Sequence, residues 1–157
     1  MRLLPLRPAT SGAPERPSRA LRASVLTRSL ENGRQAHRLW HEALVNQLLG
    51  RASPEAMRAE EACFDDRCPC GDWVHGEGLR RFGRLPGFKE LVRQHQMVHL
   101  QASNVLSFQH SGASARARAL FKTGYADASR RLMAALDHLE QQCLTRLHGP
   151  LREDHEA

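Results

Sequence analysis

Residues 68 to 78 read CPCGDWVHGEG, two cysteines about a proline followed by a tryptophan, a histidine and three glycines. The stretch is too polar and too Gly-rich for a core helix, and its thiols and imidazole are donors suited to a metal ion. Further along comes HQMVH at 95–99. His95 and His99, at i and i+4 of a helix, lie on one side about one turn apart, so both imidazoles can reach one ion. This is not a zinc-protease motif, because Gln96 stands where HExxH carries its general base. Upstream, AHRLWH holds a second i, i+4 pair, His37 and His41, with Trp40 between them read as core filling. A thiolate at Cys68 or Cys70 would add a soft ligand, and Gly71, Gly76 and Gly78 let the connector bend closely around a site. The plain alternative for Cys68 is an inert, partly buried thiol. Cys63 and Cys143, on helical apolar faces, are read as packing residues.

The elements that must position these residues are helical. From Ala23 to Leu49 the apolar residues Val25, Leu26, Leu30, Ala36, Leu39, Trp40, Ala43, Leu44 and Leu48 recur mostly at three and four, which predicts an amphipathic helix stopped by Gly50. Ser53 as N-cap and Pro54 in the first turn open a short second helix ending near Cys63 to Asp66. The Gly-rich connector follows, with a helical turn around Trp73 and Val74. Helix restarts at Pro86 or Gly87 and runs to about His110 on a stripe that includes Phe88, Leu91, Val92, Val98, Leu100, Ala102, Val105 and Leu106. A last helix runs from about Ala113 to Leu147. Its near-heptad seam of Phe121, Tyr125, Ala128, Leu132, Ala135, Leu139 and Cys143 faces either the rest of the bundle or a partner. The fold class is therefore all-α, an antiparallel helical bundle of four-helix type.

Composition agrees. Only 5% of the 157 residues are aromatic, and β-branched residues are few. No apolar run is long enough for a membrane span, and the Arg- and Pro-containing start does not read as a signal peptide, so a cytoplasmic chain with reduced thiols is expected. The +6 formal charge is concentrated early, where Arg2, Arg7, Arg16, Arg19 and Arg22 are interspersed with Pro5, Pro8, Pro14 and Pro17. Residues 1–22 are expected to be a disordered basic tail, 23–147 the bundle and 148–157 a flexible tail. That first segment has neither lysine nor aromatic residues, which argues against a nucleic-acid arm.

Taken together, HRLW at 37–40, CPCGDWVHG at 68–76 and HQMVH at 95–99 resemble the chemoreceptor zinc-binding domain family, CZB. Its pattern is a His with a Trp three residues later, then Cys-x-x-Gly-x-Trp-x-x-Gly, then His-x-x-x-His, and here it spans Gly33 to His99. GEG and LPGFKEL also look like the family. The resemblance implies a bundle in which Zn2+ is held by His37, Cys68, His95 and His99, tying the first and third helices to the connector. His41 is then a neighbour without a family role, and His75 lies outside the pattern. Cys70 departs from the family, which usually has Leu or Phe there; this second thiol could replace Cys68 or be oxidised together with it.

Three imidazoles and a thiolate fill a tetrahedral shell, so no catalytic residues and no enzyme are expected. Glu77, the only acidic residue in the Gly-rich segment after Trp73, carries no mark of a general base. The resemblance implies a homodimeric regulatory module that reports zinc, or oxidants such as hypochlorous acid, to a chemoreceptor or a diguanylate cyclase, in bacterial chemotaxis or cyclic-di-GMP signalling. The competing expectation is an interaction domain whose zinc is purely structural.

Overall fold

The computed structural model describes residues 17–51 and 56–149. Within them α1 spans Arg19–Leu48, α2 Ala59–Ala62, α3 Pro69–Trp73, α4 Leu79–Phe82, α5 Pro86–His110, α6 Ser114–Leu120 and α7 Ala126–His148. Two π-helical turns join neighbours into longer rods: Val74–Gly78 links α3 to α4, and Phe121–Tyr125 links α6 to α7. Among the described residues there is no strand, and no helix is long and apolar enough to cross a membrane. The architecture is the expected all-α bundle.

Local signals place most of the ends. Ser18 caps α1, its Oγ accepting from Leu21 N–H at 3.2 Å, so the helix starts at Arg19, inside the stretch expected to be tail. Residues 1–16 and 150–157 of the expected tails, and the expected cap at Ser53 and Pro54, lie outside the described residues. The turns after α1 and α5 each contain a glycine with positive φ, Gly50 at 68° and Gly112 at 78°. Around them the chain folds back onto helix carbonyls, Arg51 N–H on Asn46 O and Ala113 N–H on Phe108 O. Pro86 opens α5, where the missing N–H costs nothing.

The long helices α1 and α5 both run antiparallel to the α6–α7 rod. Along α1 and α7 the partners run in opposite order: Arg34 with Asp137 and Glu140, His37 with Ser129, His41 with Tyr125. Gly87 N–H donates to Gln142 Oε1, so the start of α5 meets the far end of α7. The core between them is apolar and fully enclosed, with Leu30, Leu44, Leu91, Val98, Leu106, Leu132, Leu136 and Leu139 all at 0% exposure. The last-helix seam is spent inside the chain: Tyr125, Ala128, Leu132, Ala135, Leu139 and Cys143 are buried, and Phe121 is half-buried.

Two expectations fail here. Val25, Leu39 and Leu100 belong to the apolar stripes yet are exposed, and Cys63 is exposed rather than packed. The reason is visible on α1, whose buried face carries Ser29, Gly33, Arg34 and His37 beside Leu30 and Leu44. That face is chosen by specific partners as much as by hydrophobicity. Arg34 is buried only because its guanidinium meets Asp137 Oδ1 and Glu140 Oε2, each at 2.7 Å. Cys63 lies just beyond the short α2, its thiol donating to Glu60 O at the surface.

At Gly33, α1 closely approaches α3. A Cβ there would fall 2.9 Å from Trp73 Cε3, and Trp73 is itself pinned because its indole N–H donates to Ser29 Oγ at 3.2 Å. Gly33→Ala should gain about 1 kcal/mol of helix propensity. The overpacking cost of about 1–3 kcal/mol against a fixed indole outweighs that gain. The expected result is a lower urea midpoint by circular dichroism; an unchanged or raised midpoint would show that Trp73 can shift.

Candidate metal centre

Cys68 is the N-cap of α3, and its side chain accepts from Gly71 N–H at 3.1 Å. This turn fixes the sulfur at the start of the helix, against α5. Opposite it, His95 and His99 project from successive turns of α5 into the same spot. All three residues are 3% exposed or less. Cys68 Sγ lies 3.4 Å from His95 Nε2 and 3.2 Å from His99 Nε2, and the two Nε2 atoms are 3.2 Å apart. Ligands of tetrahedral zinc, at ordinary Zn–N and Zn–S lengths, are separated by roughly 3.3–3.6 Å. The three donors therefore stand at nearly the spacing of one face of such a tetrahedron.

The surroundings prepare these atoms. His99 Nδ1–H donates to Ala62 O at 2.7 Å, which leaves the Nε2 lone pair facing the group. Ser103, one turn on, donates to Ala59 O at 2.8 Å, so α2 is fastened to α5 by two successive side chains. Gln47 at the end of α1 clamps the backbone of Met57 from both sides, accepting its N–H at 2.6 Å and donating to its carbonyl at 2.7 Å. Trp40 lies against His99 with ring centroids 4.7 Å apart. His95 Nδ1, by contrast, is buried with no partner among the described residues. A buried polar atom left unpaired costs about 1–3 kcal/mol. With Nε2 facing the group, Nδ1 is the ring's N–H, and unlike that of His99 it has no acceptor among the described residues.

Electrostatics say the same. Burial, followed by the neighbouring His99, pushes His95 down to about 3. Burial, then His41 and His99, pushes His37 to about 4. His99 is also lowered by burial. Burial raises the Cys68 thiol, only partly offset by the N–H groups of Gly71 and Cys70. The site thus keeps neutral imidazoles, the form that ligates, and a bound cation's charge would convert the thiol to thiolate.

The remaining candidates separate. Cys70 is buried at 1% exposure, its thiol pushed up to about 12 by burial, and its sulfur is not among the clustered donors. His37 is buried nearby, with Nε2 2.8 Å from Ser129 Oγ, and stands outside the Cys68–His95–His99 group. His41 pairs through Nδ1 with the Tyr125 hydroxyl at 3.0 Å and stacks on Phe121 and Tyr125. His75 sits at the surface, 3.3 Å from Asp65 Oδ2. Sequence reasoning missed Ser129 as a partner of His37 and the Ala62 carbonyl as the anchor of His99. A lone serine on a charged helix and a main-chain oxygen leave no pattern to find. A cleft of about 560 Å3, lined in part by Trp40, Met57, Arg67, Cys68 and His99, leads to the group.

Residues 37–106 match the family model of the chemoreceptor zinc-binding domain, CZB. This segment of the chain is thus similar to that zinc-binding family, and the match takes in His37, Cys68, His95 and His99. No curated protein and no solved structure matches the chain.

The lowered imidazoles make the metal-free fold acid-sensitive. The unfolded chain takes up protons near the ordinary value of 6.5, which the folded His37 and His95 refuse until about 4 and about 3. Their contribution is complete above about pH 6.5 and is lost as the pH falls towards those values. The urea midpoint of metal-free protein should therefore drop between about pH 7 and about pH 5. A flat profile would show that these rings are hydrated.

Proposed function

We propose that the protein is a regulatory, non-catalytic module in which His37, Cys68, His95 and His99 hold Zn2+, and whose state reports zinc level or oxidation of Cys68. The observation that carries this reading is the trio of buried donors at tetrahedral spacing. His37, on α1, is the fourth donor by its place in the family motif. A shell completed by His37 has no position for substrate, which favours regulation over catalysis.

Zinc would supply a positive charge that holds Cys68 as thiolate. A two-electron oxidant such as hypochlorous acid then acts on that sulfur. The sulfur takes up the hydroxyl as sulfenic acid, S–OH, and chloride leaves with the electron pair of the broken O–Cl bond. The sulfenic acid is a poor ligand, so the connection between α3, α5 and α1 loosens. The cleft beside Cys68 and His99 supports this reading by giving small solutes a way to the sulfur. The output would pass to a signalling partner, a chemoreceptor or a diguanylate cyclase in keeping with the family resemblance. The burial of Cys68 favours the other reading, a structural zinc that oxidants do not reach.

Zinc content and chelator competition on the purified, reduced full chain decide between them. One zinc per chain is expected in the wild type and in Cys70→Ala. His95→Ala and Cys68→Ala should lose affinity by about 10-fold or more. Brief hypochlorous acid should release the metal from wild type. Metal retained after oxidation would leave a structural site, and a wild type that binds none would end the metal reading.

A further inference from the structure

His37 is the one family-motif donor with a different partner. Its Nε2 lies 2.8 Å from Ser129 Oγ, across the seam between α1 and α7, and His37 is only 3% exposed. Neither of its ring nitrogens falls in the set of atoms within 4.8 Å of one another that Cys68, His95 and His99 form. Yet α1 packs against that set, for Trp40, about one turn on from His37, lies against His99 with ring centroids 4.7 Å apart. His37 is thus engaged with Ser129 on a helix that borders the metal-ligand group.

We propose that Ser129 is a positioning residue that holds His37 in a resting place, and that His37 must leave this hydroxyl to complete the metal site. The inference rests on the reading that Cys68, His95 and His99 hold a metal. With Nε2 as the ligating nitrogen, the one that His95 and His99 present, engagement of His37 by the metal and the α1–α7 hydrogen bond exclude each other, so occupancy is felt in the middle of α7. A single side-chain hydrogen bond of this kind is of ordinary strength and is readily exchanged for a metal ligand. The rest of the seam is held independently, by Arg34 on Asp137 and Glu140 and by His41 on Tyr125. Release of His37 would thus alter the centre of the α1–α7 contact without separating the helices. Ser129, once freed, has a second acceptor available in the carbonyl of Tyr125, one turn back on its own helix.

The sign of one substitution tests this. Zinc affinity of the full chain is measured by competition with a chromophoric chelator for wild type, Ser129→Ala, Ser129→Thr, His37→Ala and the His37→Ala, Ser129→Ala double variant. Removing the resting partner should tighten zinc by roughly two- to tenfold, the worth of one net hydrogen bond. Ser129→Thr, which keeps the hydroxyl, should return to wild-type affinity. In the His37→Ala background Ser129→Ala should change nothing. Weaker zinc in Ser129→Ala would mean that Ser129 orients His37 within the site, and unchanged zinc would mean that the bond is idle. Either result overturns the proposal while leaving the zinc reading intact. A wild type that binds no zinc would overturn both.

Discussion

Gathering one thiol and two imidazoles at a single buried point is the constraint around which this bundle is organised. Each group loses water on burial, and their lone pairs face one another at 3.2–3.4 Å, where they have little to offer each other. The fold accepts this by supplying partners on the outer side: Ala62 O for His99 and Gly71 N–H for Cys68. His95 goes without. Such an arrangement makes physical sense when a cation supplies the missing attraction, because metal binding then contributes directly to folding free energy.

The short segments exist largely to serve that point. The α2 helix has only four residues and cannot be stable alone. It is held by the Ser103 and His99 side chains beneath it, while the Gln47 clamp on Met57 fixes the chain just before it. In the same way α3 begins at Cys68 and is locked by Trp73 lying against Gly33 of α1. The connector thus touches α1 through Trp73 and α5 through Cys68, so a change at the sulfur is mechanically close to both.

The first helix meets α7 through a mixture of apolar and polar contacts. The polar ones are made by a buried Arg34 and two histidines. Polar contacts demand specific geometry but are exchanged at little net cost when another partner is available. Under the proposed regulatory reading, such a helix keeps a defined register while single polar contacts are exchanged.

Much of the local structure was legible in the sequence, although α1 begins at Arg19 rather than Ala23 and the Gly-rich connector is helical from Pro69 to Phe82. The i, i+4 spacing put His95 and His99 on one side of α5, Pro86 marked its start, and the three motifs in order carried the family resemblance. The heptad-like spacing on the last helix also named most of its buried residues. What the sequence did not contain was the rotation of each helix against the others. Val25, Leu39 and Leu100 repeat as core positions do but face solvent, while Ser29, Arg34 and His37 are enclosed. That choice depends on Trp73 fitting Gly33 and on Arg34 reaching residues 103 and 106 positions away. Between the two sulfurs the resemblance pointed to Cys68, but the physical reason is tertiary, because it is the N-cap turn of α3 that sets Cys68 rather than Cys70 beside His95 and His99. Spacing along one chain segment fixes neighbours on that segment. Contacts between distant segments follow from the packing of the whole, and only the tertiary structure carries them.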